Sequence, residues 1–158
     1  MTEEEFDGKI RGMEGKMYRL ARSMLRSDAD CADAMQNAIF IAWRKLPALR
    51  KPEKFEGWLT RILVNCCRDM QREYWKRKGE GPITADIPQE ICQSRDIDLH
   101  RALDALPAKH RLPILLHYMN GLPVTEVARI LRLTVPSVKG RIREGMKKLR
   151  MMMEENAE

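Results

Sequence analysis

The sequence predicts an all-α protein made of two small helical domains joined by a flexible linker. Apolar residues recur every three or four positions through most of the 158-residue chain, which is the period of a helix that buries one face. No stretch alternates apolar and polar residues as a half-buried strand does, and residues 79–96 have no apolar period but contain two glycines and two prolines. We therefore assign residues 1–78 to the first domain, 79–96 to the linker and 97–158 to the second domain.

Three helices are predicted in the first domain. The first runs from Glu3 to Arg26, and its apolar face is formed by Phe6, Ile10, Met13, Met17, Leu20, Ala21 and Met24. Ser27 is an N-cap signal for the second, which ends at Pro47 and whose apolar face is formed by Ala32, Met35, Ile39, Phe40, Trp43 and Leu46. The third helix follows a charged loop over residues 49–54. Its inward-facing residues are Phe55, Trp58, Leu59, Ile62, Leu63, Cys66 and Met70.

The second domain resumes the helical period at Ile97. Pro113 removes a backbone donor and predicts a kink, and Asn120-Gly121 predicts the end of that helical stretch. A short helix after Pro123, a tight turn at Arg132 and a final helix from Thr134 complete the pattern. The predicted inner face of the final helix comprises Val138, Ile142, Gly145, Met146, Leu149 and Met153.

Charge is unevenly distributed along the chain. Residues 1–78 contain 17 basic and 12 acidic residues, residues 79–96 contain 1 and 4, and residues 97–158 contain 11 and 7. The net charge of +6 favours polyanionic partners. Two basic blocks therefore flank an acidic connector.

Several classes of protein are disfavoured. The four cysteines form no C-x-x-C pair, and no apolar run approaches the ~18 residues that span a bilayer, so we expect a reduced cytoplasmic protein without membrane insertion. His100, His110 and His117 are spaced too irregularly for a metal-ligand set, and no nucleophile or phosphate-loop motif is present. We expect no metal, no cofactor and no enzymatic activity.

The last two helices have the parts of a helix-turn-helix that reads the major groove. Ser137 and Gly140 are small enough to let the backbone approach a duplex, while the basic side chains of this helix reach phosphates or guanine edges. These are Lys139, Arg141, Arg143 and, further along, Lys147. Glu144 repels phosphate but can accept a hydrogen bond from cytosine. The alternative is a solvated basic face on an ordinary helical hairpin.

Three segments resemble parts of bacterial sigma factors. The block "ALPAKHRLPILLHYMNGLPVTEVARILRLTVPSVKGRIREGMKKLR" is similar to their promoter-reading region 4, whereas "DCADAMQNAIFIAW" and "FEGWLTRILVNCCRDMQR" resemble two helices of region 2. Two such blocks joined by a short linker are typical of the extracytoplasmic-function subfamily. The chain departs from the family at Arg132, where glycine is frequent, and at Glu144, where a basic residue is common.

The resemblance implies specific partners and site residues. Asp33, Gln36 and Asn37 would contact the β′ clamp helices of core RNA polymerase, and the second domain would contact the β flap and the minus-thirty-five promoter element. Melted minus-ten DNA would be held by Lys51, Glu53, Lys54, Trp58, Arg61 and Asn65. An anti-sigma factor is a further partner that this subfamily commonly has. The alternative for the second helix is that its polar residues form an ordinary solvated face. The alternative for Trp58 is that it only packs in the core.

We therefore predict a sigma factor that directs core polymerase to promoters and helps to open the minus-ten element. The alternative is a stand-alone helix-turn-helix regulator, which would bind duplex DNA tightly without polymerase. A metal-dependent nuclease that uses the scattered histidines and aspartates is a third and remote alternative.

Overall fold

The computed structural model describes residues 1–78 and 97–156. Across these residues all regular structure is helical, which confirms the predicted fold class. The chain divides into two compact units, Met1–Ile83 and Thr84–Glu158, which we call unit 1 and unit 2. The linker predicted for residues 79–96 lies outside the described residues.

Unit 1 is built from three long helices, α1 (Glu3–Met24), α2 (Asp28–Lys45) and α3 (Phe55–Lys78). A capping box begins α1, because the Thr2 hydroxyl accepts a hydrogen bond from the backbone N–H of Glu5 and the Glu5 carboxylate accepts one from the N–H of Thr2. The Ser27 side chain caps α2, as predicted. All seven apolar residues predicted for the inner face of α1 are buried, so the period of this helix was read correctly.

The predicted apolar face of α2 is wrong. The buried residues of α2 are the small side chains Cys31, Ala34, Ala38 and Ala42, each with no exposed surface, whereas Phe40 is 60% and Trp43 44% exposed. Small residues allow α2 to pack closely against α1 and α3, whereas Met35, Ile39 and Leu46 are only half-buried and Phe40 and Trp43 are exposed. Residue size, rather than hydrophobicity, decides which face is inside.

Polar contacts join the turn between α1 and α2 to the rest of unit 1. Asp28 accepts a hydrogen bond from the Tyr18 hydroxyl at 2.5 Å and pairs with the buried Arg22 at 3.3 Å. The hydrogen bond to Asp28 and burial raise the pKa of Tyr18 to about 12. At the end of α3, Gln71 donates to the carbonyl of Met24 at 2.7 Å, which satisfies one of the last carbonyls of α1.

Unit 2 contains α4 (Ile97–Ala105), α5 (Ala108–Ile114), α6 (Val124–Leu131) and α7 (Val135–Asn156). Pro113 lies inside α5, and a π-helical turn over Leu115–Met119 follows it, so the backbone hydrogen-bond pattern changes close to the predicted kink. Gly121 then adopts a positive φ of 69°, and the His117 ring nitrogen Nδ1 lies 2.7 Å from the carbonyl oxygen of Leu122. α4, α5 and α6 all pack against α7.

The turn between α6 and α7 contains a left-handed arginine. Arg132 has φ 59° and ψ 44°, a conformation that favours glycine. The next N–H, that of Leu133, donates to the carbonyl of Ala128 at 2.9 Å, which is the long hydrogen bond of a Schellman motif. The turn between α6 and α7 therefore takes a left-handed conformation with arginine rather than glycine.

Candidate nucleic-acid and polymerase interfaces

The start of α7 is shaped by its cap and by its core contacts. The Thr134 hydroxyl accepts a hydrogen bond from the N–H of Ser137 at 3.3 Å, which fixes the first turn. Val138 is fully buried and Ile142 is 9% exposed, so the opposite side of the helix faces solvent. This geometry leaves a continuous exposed surface of α7 beside the turn, as the helix-turn-helix requires.

The predicted duplex-binding residues lie on two different flanks of α7. Lys139, Arg143 and Lys147 line a groove beside α6, which we call the basic groove. Ser137, Arg141 and Glu144 do not line it. The sequence analysis treated the basic residues of this helix as one set, and the structure separates Arg141 from Lys139, Arg143 and Lys147.

The basic groove has a charged rim and an apolar floor. Arg150 completes the rim with Lys139, Arg143 and Lys147, and the floor is formed by Val124, Ile142 and Met146. His117 and Tyr118 line its other side, with their rings 4.8 Å apart. The groove has a volume of about 710 Å³, and Tyr118 is 59% exposed. The sequence analysis missed Tyr118 and Arg150, whose only signals were an aromatic residue before a turn and the continued helical spacing of basic residues.

The other flank of α7 faces α5. Burial, followed by the positive charges of Lys148 and Lys109, lowers the pKa of the His110 imidazole, and Glu144 and Arg141 also act on it. His110 is 6% exposed. The charges of Arg141 and Glu144 therefore lie close enough to this buried imidazole to act on it.

Two glycines of α7 have opposite surroundings. A methyl group added at Gly140 would meet nothing within 4 Å, which is consistent with an open surface for a close partner. At Gly145 it would approach the Ile114 Cδ1 to 2.6 Å and the His110 Cβ to 3.0 Å. Gly145 thus lets α5 and α7 pack closely, whereas Gly140 is free to face a ligand.

In unit 1, the residues predicted to hold melted DNA occupy an exposed loop and one face of α3. Lys51, Glu53 and Lys54 are exposed around a short 3-10 turn over Pro52–Lys54. Trp58, Arg61 and Asn65 follow at intervals of three and four residues, so they share a helix face. Arg61 and Asn65 are exposed.

Trp58 is half-buried and packs with one part of its ring. Its centroid lies 5.9 Å from that of the fully buried Phe55, at an interplanar angle of 49°. Part of the side chain remains exposed to solvent. Packing against the core therefore leaves room for the predicted stacking role of Trp58, which stays a prediction.

The predicted polymerase contact lies on the exposed face of α2. Asp33, Gln36 and Asn37 are all exposed. Phe40 lies one turn further along the same face, with the Arg44 guanidinium 5.6 Å from its ring centroid. We call Asp33, Gln36, Asn37, Phe40 and Arg44 the α2 face.

A shallow apolar groove of about 350 Å³ adjoins the α2 face. It is lined by Phe6 of α1 and by Ile39, Phe40 and Trp43 of α2, and Gln36 stands at its edge. The ring of Phe6 contacts that of Trp43 edge-on at 5.1 Å. The sequence analysis missed this site because it assigned the large apolar residues of α2 to the core.

The described residues contain no group of three or more His, Cys, Asp or Glu side chains placed to hold a metal ion. Burial raises the pKa of the Cys31 thiol to about 11 and also raises that of Cys67. Within residues 1–78 and 97–156, no helix is long and apolar enough to cross a membrane.

Comparison with known proteins identifies the family. Residues 10–77 match the family Sigma-70 region 2, and residues 96–149 match Sigma-70, region 4. The RNA polymerase sigma factor SigV of Bacillus subtilis is 30% identical over 138 residues, covering 86% of this chain and 83% of the relative. This chain belongs to the sigma-70 family of RNA polymerase sigma factors.

A further relative places this sigma factor in the extracytoplasmic-function (ECF) group, and a solved structure has the same fold. The ECF RNA polymerase sigma factor SigM of Mycobacterium tuberculosis is 31% identical over 141 residues, covering 86% of this chain and 70% of the relative. The sigma factor RpoE of Bartonella quintana, solved in complex with the anti-sigma factor NepR, superposes with a TM-score of 0.75 at 20% identity, over 95% of this chain and 97% of that one. Sigma factors are regulatory proteins rather than enzymes. Unit 1 thus carries region 2 of this sigma factor, and unit 2 carries region 4.

Proposed function

We propose that this sigma factor binds core RNA polymerase in the cytoplasm and directs it to promoters, where region 2 opens the minus-ten element and region 4 binds the minus-thirty-five element as duplex. The observation that carries the proposal is the presence of both regions on one chain, each with an exposed face of suitable chemistry. A stand-alone regulator would need only region 4.

We assign duplex contacts to seven residues of α7 that are exposed or half-buried and lie on both of its flanks. The residues are Ser137, Lys139, Gly140, Arg141, Arg143, Glu144 and Lys147. Because the N-terminal turns of a recognition helix meet base edges and later turns meet phosphates, Arg141 reads bases and Lys147 contacts the backbone. In region 2, Lys51, Glu53, Lys54, Trp58, Arg61 and Asn65 hold the melted strand.

Run-off transcription tests the proposal as a whole. Purified chain is added to core polymerase on a library of random promoter templates, and transcripts are sequenced. The proposal predicts new, sequence-selected start sites that depend on both the chain and the core enzyme. High-affinity duplex binding with no effect on core polymerase would instead support the stand-alone regulator.

The first specific prediction concerns attachment to polymerase through the α2 face. We expect Phe40→Ala to weaken core binding by about 1–3 kcal/mol, because the substitution removes an aromatic anchor from the interface. The Phe40 side chain is 60% exposed in the free protein, so its loss should cost little folding free energy. Asp33→Lys should weaken binding similarly through charge reversal. Binding is measured by titrating labelled chain with core enzyme.

Glu14→Ala is the matched control, because Glu14 is exposed on α1 and lies outside the α2 face and its groove. It should leave core affinity unchanged. Circular dichroism checks that all three variants remain helical. Wild-type affinity in a folded Phe40→Ala and a folded Asp33→Lys would remove the α2 face as the docking site.

The second prediction concerns strand opening. We expect Trp58→Ala and Asn65→Ala to lower open-complex formation on duplex promoters by roughly tenfold to a hundredfold, since stacking contributes ~1–3 kcal/mol per captured base. A template with a pre-melted minus-ten bubble should restore most of the lost activity. Permanganate footprinting of unpaired thymines measures the opening directly.

Asn65 makes this test independent of folding, because it is exposed and its truncation leaves the core intact. Glu73→Ala, exposed on the same helix, serves as the control. If the bubble template rescues neither variant while both remain folded and bind core polymerase normally, the capture role is wrong.

A further inference from the structure

The left-handed arginine in the turn between α6 and α7 has a side chain that the fold itself does not use. We propose that Arg132 contacts a phosphate of the minus-thirty-five duplex and anchors the start of α7 to it, and that the turn carries an arginine for this purpose. This role deepens the proposed function and rests on it. It adds a contact outside α7 to the duplex contacts assigned above, which all lie within that helix.

The backbone of the turn does not require an arginine. Among residues 1–78 and 97–156, Arg132 is the only residue other than glycine with a positive φ. Its N–H donates to the carbonyls of Ala128 and Arg129, and the N–H of Leu133 donates to that of Ala128. Glycine can make the same hydrogen bonds, and without a Cβ it takes the left-handed conformation free of a clash with the following carbonyl. Arginine at this position therefore carries a steric cost that glycine does not have.

No internal contact of the Arg132 side chain offsets this cost. The side chain is exposed, and within the part of the chain that the structure describes it makes no ion pair and stacks on no aromatic ring. By contrast, Arg129 lies one turn earlier and pairs with Glu126 at 3.5 Å. A residue held in an unfavourable backbone conformation without an internal gain points to a role outside the folded chain. The unpaired guanidinium of Arg132 is suited to an external anion.

The position of Arg132 in the helix-turn-helix favours the DNA backbone as that anion. Arg132 directly follows α6 and lies three residues before Val135, the first residue of α7, so their Cα atoms are no more than about 11 Å apart. In helix-turn-helix complexes the first helix crosses the DNA backbone, and the N-terminal turns of the second meet base edges. The turn joins these two elements, so a long cationic side chain on it can reach a phosphate beside the bases that α7 reads. Arginine binds phosphate through paired N–H donors.

A phosphate contact at the turn acts as an anchor and not as a base reader. Phosphate contacts fix the register and orientation of a protein on duplex DNA and carry no sequence information directly. At Arg132 such a contact sets how α7 enters the major groove, just ahead of the proposed contacts Ser137 and Arg141. We therefore expect Arg132 to raise the affinity for all promoters alike and to leave their ranking unchanged.

Three substitutions separate the charge of Arg132 from its backbone conformation. Arg132→Lys keeps the charge and the Cβ, Arg132→Gln keeps only the Cβ, and Arg132→Gly removes both. Arg129→Gln is the matched control, because it removes an arginine one turn earlier whose charge is already paired.

Binding is measured with each full chain assembled on core polymerase. The probes are labelled duplexes that contain only the minus-thirty-five elements of promoters found in the run-off experiment. Fluorescence anisotropy at several salt concentrations gives the affinity and its salt dependence, and titration with core enzyme shows that each chain still binds polymerase. Thermal unfolding of each free chain is followed by circular dichroism.

We expect Arg132→Gln and Arg132→Gly to lower duplex affinity about threefold to tenfold for strong and weak elements alike. The plot of log K against log salt should become shallower by about 0.9, the value for one phosphate contact. Arg132→Lys should keep the wild-type salt dependence, and Arg129→Gln should keep both the affinity, within about twofold, and its salt dependence.

Stability should change in the opposite direction to affinity. Arg132→Gly should raise the melting temperature of unit 2 by about 2–6 °C, because it relieves the left-handed strain, whereas Arg132→Gln should leave it within about 1 °C of the wild type. A variant that is more stable and yet binds duplex more weakly has lost a contact and not its fold.

Wild-type duplex affinity and salt dependence in both Arg132→Gln and Arg132→Gly would overturn the proposal. A changed ranking of the elements would make Arg132 a base reader, and weaker binding to core enzyme with duplex binding intact would make it a polymerase contact. Each of these results also overturns the phosphate anchor. Selected start sites in the wild-type run-off experiment report separately on the sigma-factor function. If they appear and the Arg132 variants behave as the wild type, only the anchor is wrong, and if they do not appear, both proposals fail.

Discussion

Replacing Gly145 with valine is expected to unfold unit 2 at temperatures where the wild-type unit is folded. Even a single methyl group at this position approaches the Ile114 Cδ1 to 2.6 Å and the His110 Cβ to 3.0 Å, and valine adds two more carbons. Ile114 is 4% exposed and has little room to rotate away. Overpacking of this kind costs about 3 kcal/mol, which is a large part of the stability of a small domain.

Gly140→Val is the matched control on the same helix. A side chain there meets nothing within 4 Å, so the free energy of unfolding should change by less than about 0.5 kcal/mol, since valine has a somewhat better helix propensity than glycine. Duplex binding should nevertheless fall, because the valine holds the α7 backbone away from DNA. Thermal unfolding and DNA titration of both variants separate packing from recognition. Equal melting temperatures for the two variants would show that α5 can move away from α7 at little cost.

Replacing Arg111 with alanine is expected to detach α4 from the rest of unit 2. Arg111 is 3% exposed, and its guanidinium donates hydrogen bonds to the carbonyls of Leu106 at 2.7 Å and Asp104 at 3.2 Å. These carbonyls end α4, where the helix itself offers no donors. Leaving buried carbonyls without partners, together with the cavity of the lost side chain, should cost roughly 2–4 kcal/mol.

The loss should be visible as faster amide hydrogen exchange in α4 and a lower melting temperature of unit 2. Arg129→Ala is the control, because Arg129 is 65% exposed and its pair with Glu126 at 3.5 Å lies at the surface. It should change the free energy of unfolding by less than about 0.5 kcal/mol. Protection of α4 that is the same in Arg111→Ala as in the wild type would contradict a capping role for this arginine.

The α1 and α2 helices show where sequence reasoning succeeds and where it fails. In α1 the buried residues from Phe6 to Leu20 are large and apolar, so hydrophobic period and burial coincide over most of the helix, and only its last turn also buries the polar Arg22 and Ser23. In α2 they do not, because alanine and cysteine occupy the contact with the neighbouring helices and leave Phe40 and Trp43 outside. A period analysis weighted by hydrophobicity favours the larger side chains and therefore chose the wrong face.

In the candidate sites too, sequence reasoning succeeded for one kind of residue, the polar and basic ones, and failed for the apolar ones. The polar and basic residues predicted from the family motifs are exposed for the most part, as a binding role requires, and their spacing along a helix could be read directly. The apolar contribution to each surface was not predicted, since Phe6 of α1 and Tyr118 become neighbours of the predicted residues only through packing, and Phe40 was assigned to the core.

By itself, the sequence determined the helical class, the caps at Ser27 and Gly121, the break after Pro113 and the order of the two sigma regions. Each of these depends on local chemistry or on a motif within one segment of the chain. Only the tertiary structure decided that Gly145 is a packing contact and Gly140 an open one, that Arg132 takes the left-handed turn, and that the basic residues of α7 divide between two flanks. The physical reason is that these properties depend on which atoms of distant segments lie within a few ångströms, and helical spacing along one segment does not contain that information.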